Sequence, residues 1–252
     1  MTSELTFLGC GDAFGSGGRF NTCFFVSSGD TRFLIDFGAT SMTAAKHFGV
    51  SLGEIPLIFI THLHGDHVGG LPFLLLEAAL VTKRTAPLTI AGPPGLKAHI
   101  PILTDALFPG TPLELPFELT VLELPPDLPA EVLGVRVTPH LVKHAPTLVC
   151  TGLRLEFDGK TLVYSGDTVW TNTLPQLAQG ADLFVCDAYT FDQPTPQHLD
   201  YETLKARFAD AAEQLGPKRL ILTHLGQAFL DKLEAGTTLS FETAEDGLVI
   251  QF

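Results

Sequence analysis

Short apolar runs alternate with amphipathic stretches along this chain, and polar or glycine-rich turns separate them. Residues 5–8 read as a strand that runs into a glycine-rich stretch, residues 9–18. Residues 22–27 and 31–36 read as a hairpin about Ser28-Gly29-Asp30, where small turn residues divide two apolar strands. The pattern then predicts a helix over 40–48 and a buried, β-branched strand over 55–60. A helix over 69–78, a strand at 88–91 and a helix at 96–107 follow, the last opening after Gly92-Pro93-Pro94-Gly95.

Residues 109–133 break the rhythm. They are rich in Pro, Leu and Glu, contain no Lys or Arg, hold one strand-like piece at 117–124, and stiffen at Pro125-Pro126. This is the natural connection between two halves, about 1–108 and 134–252, of one domain. In the second half, residues 134–138 read as a strand, and 149–157 with 160–164 as a hairpin about Asp158-Gly159. A short helix through Leu174 and Leu177, a strand at 183–186, a helix from Asp200 to about residue 215 and a strand at 219–222 come next. A helix at 227–234 and strands at 238–241 and 248–252 end the chain. Strands alternating with helices in this way predict an α/β architecture.

Composition narrows the class. The 252 residues are 45% hydrophobic, enough for a sizeable core. The formal net charge is −13. So acidic a balance suits a wide nucleic-acid grip poorly, because phosphate contacts need Lys and Arg, which argues against extensive nucleic-acid binding. No apolar run reaches transmembrane length, and the first residues show no signal-peptide pattern, so the expectation is a soluble cytoplasmic protein with no membrane partner. Cys10, Cys23, Cys150 and Cys186 form no C-x-x-C pair and sit in or beside apolar runs, as reduced, buried thiols do.

Candidate chemistry concentrates in one stretch. His62-Leu63-His64-Gly65-Asp66-His67 places three imidazoles and a carboxylate between a predicted strand and a predicted helix. Neutral imidazole and carboxylate are the ligands that zinc and similar divalent ions take. More polar residues stand directly after apolar strands: Asp167, Asp187 and His224. Strand-end side chains on one edge of a sheet converge even when far apart in sequence, which is how open sheets build sites.

The spacing His-x-His-x-Asp-His resembles the metal signature of the metallo-β-lactamase superfamily. The later order is also similar: His144, then Ser165-Gly166-Asp167-Thr168, then Leu222-Thr223-His224. The resemblance spans nearly the whole chain and implies a four-layer αββα sandwich of two pseudo-symmetric halves. It implies two zinc ions, with manganese or iron able to occupy similar ligand sets. Carried over by position, His62, His64 and His144 hold one metal, Asp66, His67 and His224 hold the other, and Asp167 bridges both. His140 competes with His144 for the lone-ligand role; His144 is preferred because it leads, through Ala145-Pro146-Thr147, into the strand beginning near Val149.

The second half looks like the branch that contains ribonuclease Z, arylsulfatases of this fold and small phosphodiesterases. The run Tyr164 to Thr168, the stretch Asp187-Ala188 and Gln197-His198-Leu199 carry that likeness. By the same resemblance His198 is the general-acid candidate and Asp66 orients a metal-bridging hydroxide. Departures bear on substrate: no basic arm is present, and Leu225-Gly226-Gln227 replaces the Ser and Arg-Tyr common after the last histidine of ribonuclease Z. The first expectation is therefore a phosphodiesterase for small phosphodiesters or cyclic nucleotides. The alternatives are a ribonuclease Z-like tRNA 3′ endonuclease, a lactonase or arylsulfatase, and a non-catalytic metal-holding binding protein. The branch also implies a homodimer. Residues 14–20, 73–76 and Trp170 are candidate pocket walls, with core packing the commoner role expected for most of their apolar side chains.

Overall fold

The computed structural model describes residues 2–211 and 216–252. Its first part runs β1 (Ser3–Gly9), β2 (Cys23–Ser28), β3 (Thr31–Ile35), α1 (Ser41–His47), β4 (Leu57–Phe59), α2 (Gly65–Val68), α3 (Leu71–Leu80), β5 (Leu88–Gly92), α4 (Leu96–Leu107) and β6 (Leu119–Glu123). It continues through β7 (Ala130–Val132), β8 (Val135–Leu141), β9 (Thr151–Phe157), β10 (Lys160–Tyr164), α5 (Thr173–Ala178) and β11 (Leu183–Asp187). The chain ends with α6 (Tyr201–Ala211), β12 (Leu220–Thr223), α7 (Gln227–Glu234), β13 (Glu242–Thr243) and β14 (Val249–Gln251). Among the described residues no helix is long and apolar enough to cross a membrane.

The strands form two seven-stranded sheets, ordered β14-β1-β2-β3-β4-β5-β6 and β13-β12-β11-β10-β9-β8-β7. Their inner faces pack on each other through Phe7, Phe24, Phe33, Phe157 and Tyr164, all in one buried cluster. Aromatic edges bridge the sheets: Phe24 meets Tyr164 at 5.0 Å and Phe33 meets Phe157 at 5.2 Å between ring centroids. Such pairs add about 0.5–1.5 kcal/mol beyond the area they bury. Helices cover both outer faces. Ala44 of α1, Leu71, Leu74, Leu75 and Ala78 of α3, and Ile100 of α4 pack on the first sheet. Leu177 of α5, Leu204 of α6 and Phe229 of α7 pack on the second. Leu71, Leu74, Leu75 and Ala78 follow the i, i+3, i+4, i+7 spacing, and Pro72, Leu76 and Ala79 are buried too, so α3 is covered on most of its circumference. The layers are helix, sheet, sheet, helix.

Several elements depart from the sequence-based expectation. The helix expected over 69–78 is α3, at Leu71–Leu80, and a separate short helix, α2, forms within the histidine stretch at Gly65–Val68. β7 was not anticipated: it is a short edge strand pairing antiparallel with β8. The strand expected at 238–241 lies at Glu242–Thr243. The helix from Asp200 runs to Ala211, and its expected end at 212–215 falls outside the described residues. Sheet membership does not follow the chain halves, because β14 from the chain end pairs antiparallel with β1. An unpaired strand edge presents free N–H and C=O groups, and β1 offers one to the returning chain.

One buried cation braces the strand that leads to the histidine stretch. Arg84 donates to the carbonyls of Ala86 (2.7 Å), Leu52 (3.0 Å), Ile55 (2.9 Å) and Pro87 (2.7 Å). Its guanidinium thereby ties the approach to β4 to the approach to β5. Replacing Arg84 with Met leaves four carbonyls to re-solvate. The expected outcome is a loss of about 2–4 kcal/mol of stability, read as a lowered denaturant midpoint with unchanged slope.

Candidate metal centre

Parallel pairing of β3 with β4 and β4 with β5 brings their C-terminal ends to one edge of the first sheet. Parallel β10, β11 and β12 do the same in the second. The two edges meet. Thr151 of β9 donates its backbone N–H and its hydroxyl to the Thr61 carbonyl, at 3.1 and 2.9 Å. His224 N–H and the Thr223 hydroxyl donate to the Cys10 carbonyl at 3.0 and 3.2 Å. These bonds bring the strand ends of both sheets around one cleft.

Two backbone positions make the convergence possible. Gly38 lies under the histidine stretch, where a Cβ would stand 2.1 Å from the Asp66 carbonyl. Gly166 adopts φ +58, and a Cβ there would lie 2.6 Å from the Thr151 carbonyl. His224 itself takes φ +63, a left-handed conformation that a non-glycine residue adopts only when its surroundings hold it.

The expected ligand residues come together in two groups. One donor atom each from His62, His64 and His144 lie within 4.8 Å of one another, and so do those of Asp66, His67, Asp167 and His224. Asp167 stands between the groups: its Oδ2 is 3.8 Å from Nε2 of both His62 and His144, 3.3 Å from that of His67 and 3.4 Å from that of His224. His144, not His140, enters this cluster. His140 lies on β8 with Nδ1 3.4 Å from Asp127.

Some inner atoms of the cluster lack hydrogen-bond partners, although His64 Nδ1 lies 3.2 Å from His62 Nε2 and 3.0 Å from His144 Nε2. His67 Nε2 and Asp167 Oδ1 are buried without a hydrogen bond. Buried polar atoms without partners are rare in proteins, and a shared aim at one space by imidazole nitrogens and carboxylate oxygens is what a divalent cation satisfies. Electrostatics agree. Burial works against ionised Asp66 and Asp167, yet the surrounding imidazoles outweigh it and hold both carboxyls below their ordinary range. Burial, reinforced by His67, pushes His62 well below its ordinary value, so it stands as a neutral imidazole ready to bind metal.

Asp36 is the functional residue that the sequence reading passed over. Wholly buried at the end of β3, it accepts from Thr61 N–H and the Thr61 hydroxyl, both at 2.8 Å, and pairs with His67 Nδ1 at 2.7 Å. The Thr61 hydroxyl also lies 3.0 Å from His62 Nδ1. One carboxylate thus fixes His67 directly and His62 through Thr61, leaving Nε2 of each toward the cluster. Its strand-end position was the available signal.

His198 lines the cleft beside the cluster, and the wholly buried Asp187 stands behind it. His198 Nδ1 is 3.0 Å from Asp187 Oδ2, which also accepts from Thr168 N–H at 3.1 Å. The His198 ring stacks on His224 at 5.1 Å. Burial disfavours its charged form, but Asp187 outweighs burial and lifts its pKa to about 9. Of the expected pocket walls, Phe14 lines the cleft. Phe73 lines an adjoining hollow with Leu103 and Leu107. Phe20 packs on Phe48 and Trp170 on Phe208 instead, because each ring gains more by closing a core edge than by facing water. Tyr189 and Asp12 complete the cleft, and neither was anticipated.

The sandwich and the His/Asp cluster define a metal-dependent hydrolase of the metallo-β-lactamase superfamily. Solved structures agree: human tRNase Z, short form, superposes with a TM-score of 0.77 at 27% identity, covering 98% of both chains. The metallo-β-lactamase fold protein YhfI from Bacillus subtilis gives 0.76 at 21% identity over the full length of both. A ribonuclease Z of Mycobacterium bovis is 31% identical over 240 residues, spanning 88% of this chain and 85% of that protein. The family model described as anti-Pycsar protein Apyc1 matches residues 3–245, and the chain belongs to that family.

Asp36→Asn tests the bracing of the cluster. Asn tolerates the left-handed φ of +57 at this position, so the backbone is spared. Its amide turns a donor toward His67 Nδ1 or weakens the acceptor there, and the expected outcome is a loss of about 10–100-fold in metal affinity, measured by competition with a chelating indicator.

Proposed function

We propose that the chain is a dinuclear zinc phosphodiesterase acting on small phosphodiesters, cyclic nucleotides among them. The observation that carries this reading is the cleft itself. It has a volume of ≈ 330 Å³ and is walled by His64, Asp66, His144, Asp167, His198 and His224, with no Lys or Arg among the described lining residues. That volume lies at the small end of ligand pockets. A diester carries one negative charge and needs little cationic help beyond the metals, whereas a polynucleotide needs a track of Lys and Arg.

His62, His64 and His144 would hold one ion, Asp66, His67 and His224 the second, and Asp167 both. When bound, two divalent ions supply charge neutralisation at the phosphoryl oxygens and a nucleophile from water at neutral pH. Asp66, 9% exposed at the cleft floor, is placed to orient the attacking water. His198 is placed to give its Nε2 proton to the departing oxygen, while Asp187 holds Nδ1 at 3.0 Å and fixes the ring. A second reading, tRNA 3′ processing, is favoured by the relatives named ribonuclease Z. Against it stand the net charge of −13 and the absence of Lys and Arg from residues 109–133.

A rate panel separates the two. Zinc-loaded protein should turn over cyclic nucleotides and bis(p-nitrophenyl) phosphate, and Asp167→Ala should abolish both. The rate constant kcat/KM for cyclic nucleotide should change less than about threefold between 50 and 200 mM salt, where binding through many phosphate contacts falls about a thousandfold or more. Preference for precursor tRNA by a wide margin, with a steep salt dependence, would install the second reading.

The role of His198 has its own signature. His198→Ala should lower kcat on cyclic nucleotides, whose alkoxide leaving group needs a proton, by about 10²–10⁴-fold. On bis(p-nitrophenyl) phosphate, whose leaving group departs unprotonated, the loss should be under about tenfold. Equal losses on both substrates would remove His198 from the proton-donor role.

A further inference from the structure

Beside the cluster, the cleft carries two aromatic side chains that the chemistry above does not use: Phe14 and Tyr189. Phe14 is 82% exposed, more than any other large hydrophobic among the described residues. It is nevertheless not on a loose tip. The buried carboxylate of Asp12 accepts from Phe14 N–H (3.1 Å), Ser16 N–H (2.9 Å) and the Ser16 hydroxyl (2.6 Å). Asn21 donates to the Asp12 carbonyl at 2.8 Å, and Gly17 N–H reaches the Gln227 side chain on α7 at 2.9 Å. An ordered backbone thus presents a large apolar ring to solvent at the mouth of the site.

Tyr189 belongs to the second sheet's edge, two residues beyond Asp187. Its carbonyl accepts from Gly226 N–H at 2.9 Å, and the ring is backed so closely that a Cβ on Gly226 would lie 2.8 Å from Cε2. The ring stands 4.9 Å from His198 and 6.2 Å from His224 between centroids. It is therefore fixed from behind and flanked by the residues that receive the reacting group. Its hydroxyl makes no hydrogen bond to the described residues. Phe14 and Tyr189 come from opposite sheets, and both border the space in front of His198.

We propose that Phe14 and Tyr189 are the substrate-positioning pair of this site, gripping the flat ring of a nucleobase or aryl group while the phosphoryl group lies on the His/Asp cluster. The inference rests on the phosphodiesterase reading and names the part of the substrate that reading leaves open. Stacking uses the π-face that every base has, so this grip accepts purine and pyrimidine alike. An exposed, backbone-pinned Phe has its ring desolvated only when a ligand arrives, so the gain appears as binding. Aromatic stacking on a base contributes about 1–3 kcal/mol, which is about 5- to 100-fold in affinity.

The test is equilibrium binding by titration calorimetry to zinc-loaded protein, with three probes: inorganic phosphate, a purine nucleoside 5′-monophosphate and a pyrimidine one. The wild type should bind both nucleotides more tightly than phosphate, within about threefold of each other. Phe14→Ala and Tyr189→Leu should each weaken nucleotide binding about 5- to 100-fold and leave phosphate binding unchanged, and Phe14→Trp should retain nucleotide affinity. Because Phe14 is exposed, its variants decide the matter even where the Tyr189 variant is unstable. Nucleotides bound no more tightly than phosphate, variants that bind like wild type, variants that lose phosphate equally, or a tenfold preference for one base class would each overturn the proposal. Tight, ring-dependent nucleotide binding without diester turnover would instead strike only the phosphodiesterase reading.

Discussion

The structure depends on one constraint: seven polar side chains are brought to the seam between two sheets, and their inner atoms cannot satisfy each other. His67 Nε2 and Asp167 Oδ1 are buried without partners, and imidazoles and carboxylates crowd the same space at 3.3–3.8 Å. Such a group is costly unless cations fill it. The sheets commit to it all the same, through the Thr151–Thr61 and His224–Cys10 bonds that tie their edges. Core packing of Phe24 on Tyr164 and Phe33 on Phe157 holds the sheets together behind it. Fold stability and metal binding are linked in consequence, because a cation that binds the folded cluster and not the open chain stabilises the fold by mass action.

The outward nitrogens of His62, His67 and His144 are held as well. Asp36 serves His67 directly and His62 through Thr61, and the Gln197 carbonyl holds His144 Nδ1 at 2.9 Å. Asp187 plays the same part for His198. These contacts choose which ring nitrogen faces inward, and that choice decides whether an imidazole is a ligand at all. The Gln197 contact also ties His144 to the loop that carries His198.

How much of this the sequence made legible depends on distance along the chain. His62, His64, Asp66 and His67 declare themselves because their spacing is local and their residue types have few other reasons to sit together. Asp167 and His224 declare themselves by following apolar strands, and the resemblance supplied their roles. Asp36 stayed silent because its partners lie 25 and 31 residues away, and only the β3–β4 pairing brings them together. Tyr189 was hidden for the same reason: Gly226, which backs its ring, comes from the far side of β12. A large aromatic near a site motif reads as wall or core, and the half-buried Trp170 ring packs on Phe208. β14 pairs with β1 across almost the full chain, and no local pattern carries such a pairing.

The central proposal is that one seam, drawn from both sheets, would hold two metal ions with Asp167 in reach of both. The most direct measurement is a crystal structure of the zinc-loaded protein with anomalous scattering recorded on both sides of the zinc absorption edge. The account predicts two anomalous peaks about 3.5–4 Å apart, one bound by His62, His64 and His144, the other by Asp66, His67 and His224, with Asp167 touching both. A single peak, or two peaks with Asp167 bound to neither or only one, would contradict it.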